Sequence, residues 1–444
     1  MRYYLLTLGC AKNVADSDGI RALLREAQLE ATDQTNAADV LIVNTCGFLQ
    51  ASRQEALRAL RELAHDKRDD QLLIAAGCLI SRYGQTLQRE VPQVDGVVDA
   101  GHWLALPHLI HQLKNKNEIP QDWLTDAYAG LPLEQISARS IVERLARTPQ
   151  GGSAYLKIAD GCDRPCTFCT IPAIKGAHRS KPADAVIAEA RELVARGVKE
   201  IVLVAQDTTA YGWDWDQRDA LAALLERLGA EVAGLCWVRL MYTYPSHITP
   251  RLIETMARLP QVLHYIDLPL QHAHPETLKR MKRPNPVVTR DMLNALRAAI
   301  PDLVIRTTFI VGFPGETDDE FKTLLQFMDT QRFDRVGVFE YSREDGTPAA
   351  LLEPQVPAKT KTQRRNAAMK LQQKISFARN QQFIGRELAV LIEGVGDGIS
   401  IARSYRDAPE VDGVVLIQKE LPPGEIVRVK ISQAIEYDLI GSPI

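Results

Sequence analysis

Six of the seven cysteines fall into two groups of three, and these groups dictate which loops the fold must bring together. The tighter group reads Cys162-Asp163-Arg164-Pro165-Cys166-Thr167-Phe168-Cys169, a CxxxCxxC triplet behind the apolar stretch Ala154-Tyr155-Leu156-Lys157-Ile158. Three thiolates at this spacing can hold three irons of a four-iron cluster and leave the fourth iron open to chelate another molecule. The looser group is Cys10, Cys46 and Cys78. Each ends an apolar run and each has a glycine close by, in Leu8-Gly9-Cys10, Asn44-Thr45-Cys46-Gly47 and Ala76-Gly77-Cys78. Glycine lets the backbone approach a bulky group closely. A lone free cysteine is usually a small buried core residue, but three at equivalent, glycine-flanked positions fit a second cluster better.

The first 115 residues alternate strand and helix signals: strands at Tyr3–Leu8, Val40–Val43, Leu72–Ala76 and Val97–Val98, helices at Asp16–Ala27 and Ser52–Ala64. That order implies a doubly wound parallel sheet. All three isolated cysteines then follow strand carboxyl ends, which lie on one edge of such a sheet, where ligands bind. Residues 116–147 are polar and punctuated by Pro and Gly, and read as a linker with one helix near Ile141–Arg147. From 148 to 380 a second alternation runs. Strands are expected at Ala154–Ile158, Glu200–Val204, Cys236–Met241, Tyr265–Leu268, Val304–Val311 and Arg335–Tyr341, with helices between them. Six βα units are too few for a closed eight-stranded barrel and suit an open partial barrel, with the cysteine triplet at its mouth. The basic stretch Ala358–Asn380 reads as a solvated helix packed on that barrel.

Residues 382–444 are β-rich and Gly/Pro-punctuated, as expected of a small five-stranded barrel of oligonucleotide-binding type. From Phe383 onward six Lys and Arg face ten Asp and Glu, a balance of four negative charges. Nucleic-acid modules need the opposite sign, so this one suits a basic partner. The whole chain, at a net charge of −3, offers no global field for nucleic acid either. The odd cysteine count, with no N-terminal signal pattern, favours a reducing, cytoplasmic compartment and metal chemistry over disulfides. The longest apolar runs, such as Leu72–Ala76, are too short to span a bilayer.

The triplet, with Phe168 before its last cysteine, resembles the radical S-adenosylmethionine (SAM) signature. The resemblance is supported by Gly197–Ile201 entering the second strand and by Ile310-Val311-Gly312-Phe313-Pro314-Gly315-Glu316-Thr317 leaving the fifth. With the upstream three-cysteine domain and a terminal TRAM barrel, the whole chain is similar to the methylthiotransferases. The segments Leu8–Asn13, Asn44–Phe48, Gln206–Gly212, Asp407–Gly413 and Glu436–Leu439 resemble the branch that modifies an aspartate of small-subunit ribosomal protein number twelve. A sister branch acts on tRNA adenosine, and it would call for a basic terminal barrel. A plain iron–sulfur carrier would usually supply four ligands per cluster, and a pure interaction protein would need neither cluster.

The resemblance implies that Cys162, Cys166 and Cys169 hold a 4Fe-4S cluster whose open iron chelates SAM through its amino and carboxylate groups. Reductive cleavage would yield methionine and a 5′-deoxyadenosyl radical, which takes hydrogen from the aspartate β-carbon. The cluster of Cys10, Cys46 and Cys78 would carry or donate the sulfur, and a second SAM would give the methyl group. A one-electron reductant such as flavodoxin or ferredoxin and a sulfur donor are implied partners; a membrane or a direct tRNA substrate is not. SAM contacts are expected at Phe168, Gln206, Asp207, Gln271, Arg306 and Gly312. Arg306 offers a fork suited to the SAM carboxylate, though it could equally pair with an internal acid, and Gly312–Gly315 could be only a tight turn. Cys236 reads as a core residue, His272 and His274 as surface or hydrogen-bonding groups. The Trp213-Asp214-Trp215 loop either touches substrate or packs.

Overall fold

The computed structural model describes residues 1–115 and 151–444; the expected linker and its helix lie outside the described residues. Two compact units are present. The first holds residues 1–115 together with the segments Asp160–Asp163 and Thr170–Glu192; the second holds the remaining described residues, including Arg164–Cys169 and everything from Leu193 to Ile444.

In the first unit, strands Arg2–Thr7, Val40–Thr45, Leu72–Gly77 and Gly96–Asp99 lie side by side and parallel, with the two-residue strand Glu30–Ala31 at the edge. The short edge strand escaped the sequence reading because two residues carry no period. Period-two alternation places Val40 and Ile42 in a cluster with Ile20, Leu24 and Leu109, and Leu41 and Val43 in another with Leu57, Leu60 and Leu79. A sheet covered on both faces reads as continuous apolar sequence, as Val40–Val43 does. Helices Ala11–Glu26, Gln50–Asp66, Cys78–Glu90 and Leu106–Asn115 supply the covering layers.

The second unit carries six parallel strands in spatial order, from Ser153–Lys157 through Glu200–Val204, Trp237–Leu240, Val262–Asp267 and Val304–Val311 to Arg335–Glu340. This is the expected open partial barrel. Helix Ala358–Gln381 packs on its last strand and on helix Asp318–Gln331, burying Ala368, Ile375 and an Arg364 paired with Glu316 and Asp318. Cys236 corrects the sequence reading: it precedes the third strand and is only partly buried, its thiol near the Gly234 carbonyl.

Residues from Glu387 onward form a closed five-stranded barrel. Its last strand, Leu439–Pro443, pairs parallel with Val415–Ile417 and antiparallel with Ile426–Ala434. That strand was hidden by its Gly and Pro. The loop 403–412 of this barrel seats against the amino-terminal half of the partial barrel through buried ion pairs. Glu200, at the start of the second strand, accepts from Arg239 Nε at 2.7 Å and from Arg403 Nη2 at 2.6 Å. Arg335 pairs with Asp407 at 2.5 Å, and Tyr265 donates to Asp412 at 2.6 Å. The terminal barrel therefore plugs the end opposite the strand carboxyl ends.

Burial alone would raise the Glu200 carboxyl, but Arg239 and Arg403 outweigh it and hold the group at about 2. The folded value lies below the ordinary glutamate value of about 4.3. Its stabilisation is thus present above that value and is lost as pH falls toward about 2. Glu200→Gln leaves two buried guanidiniums short of a counter-charge and is expected to cost about 3–5 kcal/mol at neutral pH. It should also flatten the stability slope in that acid window, as read by urea unfolding at several pH values. An unchanged slope would contradict the ion-pair account.

Candidate functional site

Cys10, Cys46 and Cys78 follow three neighbouring strands of one parallel sheet, which are spaced about 4.8 Å apart. Their loops meet through the glycines. A Cβ on Gly9 would lie 2.7 Å from Cys46 Cβ and 3.3 Å from its Sγ, and one on Gly47 would lie 2.9 Å from the Cys78 carbonyl oxygen. Side-chain amides stitch the loops. Asn13 Nδ2 donates to the carbonyls of Leu8 (2.7 Å) and Thr45 (3.1 Å), and Asn44 Nδ2 donates to the Asn13 carbonyl (3.0 Å) and Ser17 Oγ (2.9 Å). Burial pushes the Cys46 thiol up and the Cys78 thiol up to about 12. A metal must therefore displace the protons to gain thiolate ligands. None of the seven cysteines is in a disulfide.

Sequence reasoning missed a charged group in the same unit. Lys175 ends the short helix Ile171–Lys175, which begins two residues after Cys169 and packs on the helix opened by Cys78. Its Nζ lies 3.4 Å from Asp16 Oδ2, 3.4 Å from Asp160 Oδ2 and 3.3 Å from the Ala100 carbonyl. Burial would lower this amine, but the two carboxylates keep it charged, and its field opposes the upward shift of Cys78. The signal available in the sequence was a lysine just behind the triplet.

The triplet itself sits in a buttressed loop. The Cys162 amide donates to the Gly176 carbonyl at 3.1 Å, and Gly161 is obligatory, because a Cβ there would lie 2.1 Å from the Ala177 carbonyl oxygen. In the second unit the Cys169 amide donates to the Cys166 carbonyl at 3.1 Å, and Thr167 Oγ1 donates to the Arg280 carbonyl at 2.8 Å. Phe168 packs edge-on to Phe313 at 6.5 Å, beside Met281, Tyr341 and Ala349. Among the described residues no group of three His, Cys, Asp or Glu side chains stands ready-formed as a metal site. The fit for two clusters rests on thiol identity, spacing and the glycine-lined approach of the loops.

The other expected SAM contacts divide. Gln206 and Asp207 directly follow the second strand. Asp207 is buried and turned inward, capping the turn at Thr208–Ala210 by accepting from the Ala210 amide, with its other oxygen 2.9 Å from His247 Nδ1. Gln271 holds a left-handed φ of 71°, fixed by its amide donating to the Thr308 carbonyl and its carbonyl accepting from the Ile310 amide, both at 2.8 Å. Its Oε1 is buried with no hydrogen-bond partner among the described residues, as a ligand-facing group would be.

One expectation is corrected. Arg306 is the third residue of its strand, away from the carboxyl end, and its guanidinium is committed to Asp267 (2.7 Å) and Asp412 (3.3 Å). It is part of the plug, and its fork is not open to a SAM carboxylate. Gly312 turns tightly at φ 70°, and the space a Cβ would fill belongs to Lys361, whose Cγ would lie 2.3 Å away. The absence of a side chain at 312 lets Lys361 of the basic helix pack close. His272 is fully buried, its imidazole held down to about 3 by burial, and it accepts from the His274 amide.

The profile described as Radical SAM superfamily matches residues 156–328, that of uncharacterized protein family UPF0004 matches 2–99, and that of the TRAM domain matches 384–444. The chain is 48% identical over 458 residues to ribosomal protein uS12 methylthiotransferase RimO of Chloroflexus aurantiacus, covering all of both chains. It is 45% identical over 448 residues to the protein of the same name from Desulforamulus reducens, covering 98% of each. Among solved structures it is similar to the radical SAM methyltransferase TsrM of Kitasatospora setae with cobalamin and a [4Fe-4S] cluster bound. The TM-score there is 0.58 at 13% identity, over 90% of this chain and 80% of that one, a likeness of fold.

Proposed function

The chain belongs to the RimO family of ribosomal protein uS12 methylthiotransferases, and from that premise we propose how its own residues divide the work. It is a radical SAM enzyme that uses SAM and a 4Fe-4S cluster to install a methylthio group on uS12, at the aspartate β-carbon. Cys162, Cys166 and Cys169 are proposed to hold that cluster. Cys10, Cys46 and Cys78 are proposed to hold a second one, the source of the sulfur. The observation that carries the second assignment is the convergence of three glycine-flanked cysteines on adjacent strand ends.

When bound, the two clusters and SAM supply one-electron cleavage, hydrogen abstraction from an unactivated carbon, and sulfur and methyl delivery. The protein's part is orientation and exclusion of water. Gln206 and the orphaned Gln271 oxygen are proposed to hold SAM polar groups at the strand ends, while Phe168, next to Cys169, is anchored edge-on against Phe313. Asn13 and Asn44 fix the loops of the sulfur-donating site. A low-potential reductant such as flavodoxin or ferredoxin and a sulfur donor are proposed partners, and a cytoplasmic location follows from a ribosomal substrate. No helix among the described residues is long and apolar enough to cross a membrane.

The acidic terminal barrel favours a basic protein substrate over tRNA. Two charged side chains of each sign (Arg403, Arg406, Asp407, Asp412) are buried, so the surplus of four negative charges belongs to the remaining side chains. The test is the reconstituted protein, given SAM, a reductant and sulfide, offered a uS12 peptide or a tRNA anticodon stem. Methylthiolation of the peptide alone is expected; modification of the RNA would overturn the reading.

A further inference from the structure

Around the triplet loop, the carboxyl ends of four strands bring together a group of hydrogen-bond donors that the roles above leave unused. Arg164 lies inside the triplet loop, Trp213 follows the second strand, Tyr244 and His247 follow the third, and Arg283 follows the fourth. Both guanidiniums sit on the Tyr244 ring, Arg283 at 4.2 Å and Arg164 at 5.7 Å from its centroid. Arg164 Nη1 donates to His247 Nε2 at 2.9 Å, and His247 stacks on Trp213 at 3.7 Å. Because a guanidinium only donates, Nε2 is the acceptor and the ring hydrogen sits on Nδ1, which lies 2.9 Å from Asp207 Oδ2. Arg283 Nη2 donates to the Pro269 carbonyl, and its Nη1 lies 3.8 Å from Cys166 Sγ.

Neither arginine has a carboxylate within ion-pair distance among the described residues. The nearby acid, Asp207, accepts from Thr209 Oγ1 (2.7 Å) and the Ala210 amide (3.1 Å) through one oxygen, and its other oxygen lies 2.9 Å from His247 Nδ1. Arg283 Nε and Trp213 Nε1 are buried without a hydrogen-bond partner among the described residues. Two cations on one aromatic ring repel each other, and an anion that joins them relieves the repulsion. The planar forks of arginine match a carboxylate in particular.

We propose that Arg164 and Arg283, seated on Tyr244 beside Cys166, form a carboxylate-binding subsite. The proposal rests on Cys166 as a cluster ligand, because that contact places the subsite next to the reaction. The reaction brings two carboxylates there: that of the target aspartate, one bond from the carbon that receives sulfur, and that of SAM. The aspartate is the better match, since a SAM that chelates iron has already committed its carboxylate. An arginine pair of this kind explains selection of an acidic side chain on an otherwise basic protein.

The experiment uses the full-length, anaerobically reconstituted protein and its Arg283→Gln, Arg283→Lys and Arg164→Gln variants. Iron and sulfide content are read first, followed by equilibrium binding of SAM and of uS12 peptides carrying either the target aspartate or asparagine in its place. With iron content unchanged, Arg283→Gln is expected to weaken binding by about ten-fold or more, the loss of one charge-assisted pair. Arg283→Lys, which keeps the charge without the fork, should lose less. Loss confined to the aspartate peptide, with the asparagine peptide unaffected, identifies the substrate as occupant; loss confined to SAM identifies the cofactor. Arg164→Gln, whose guanidinium bonds His247 and not Cys166, should repeat the pattern and carries the test if Arg283→Gln loses iron. Unchanged affinities for SAM and for the aspartate peptide in both glutamine variants would overturn the subsite. Failure of the underlying reading is separate: Cys166→Ala would then keep its full iron and sulfide.

Discussion

Cys10→Ala is expected to leave reductive SAM cleavage intact while abolishing sulfur insertion, with iron falling from about eight to about four per chain by ligand counting. The separation follows from the structure of the first unit. Cys10 lies on a loop whose neighbours are Cys46, Asn13 and the Thr45 carbonyl, and the packing there is through glycine and amide contacts that alanine at 10 does not disturb. The substitution removes one thiolate of three, and two thiolates with no third donor are a poor hold for a cluster. Nothing in that loop belongs to the triplet segment, so production of 5′-deoxyadenosine should persist. The measurement is paired: 5′-deoxyadenosine by chromatography and methylthiolated peptide by mass spectrometry from the same incubation. Continued methylthiolation by this variant would remove the sulfur-donating role from this site.

Cys166→Ala has the larger expected effect, complete loss of SAM cleavage and with it all product. Cys166 is the middle cysteine of the triplet and the one contacted by Arg283. The flanking loop is held independently by the Thr167 contacts to Arg280 and Met281 and by the packing of Phe168, so the fold should survive. Folding is checked by circular dichroism, and the lost activity by the absence of 5′-deoxyadenosine under dithionite. The variant is expected to retain the iron held through Cys10, Cys46 and Cys78. Detectable SAM cleavage at the wild-type rate would refute the triplet assignment.

Much of this was legible in the sequence, for definite physical reasons. Strands buried on both faces announce themselves as Val40–Val43 and Leu72–Ala76 do, and parallel topology alone brings Cys10, Cys46 and Cys78 to one sheet edge. What was misread depended on contacts from distant chain. Arg306 looked like a cofactor fork because its strand was correctly placed. Its partner Asp412, more than a hundred residues away, becomes visible only once the terminal barrel docks. At Gly312 the sequence shows a glycine-rich turn but not its neighbour Lys361, which occupies the space a Cβ would fill. Arg164, Tyr244, His247 and Arg283 carried no motif at all. Their common address, just past successive strand carboxyl ends, was the signal that strand-end reasoning could have used.

The most direct test of the central claim is mass spectrometry of ribosomal proteins and tRNA nucleosides from cells lacking this gene. The account predicts loss of the methylthio group from the uS12 aspartate with tRNA methylthioadenosine unchanged. Loss of the tRNA modification with uS12 still methylthiolated would contradict it, and would show that the acidic barrel does not select a protein substrate.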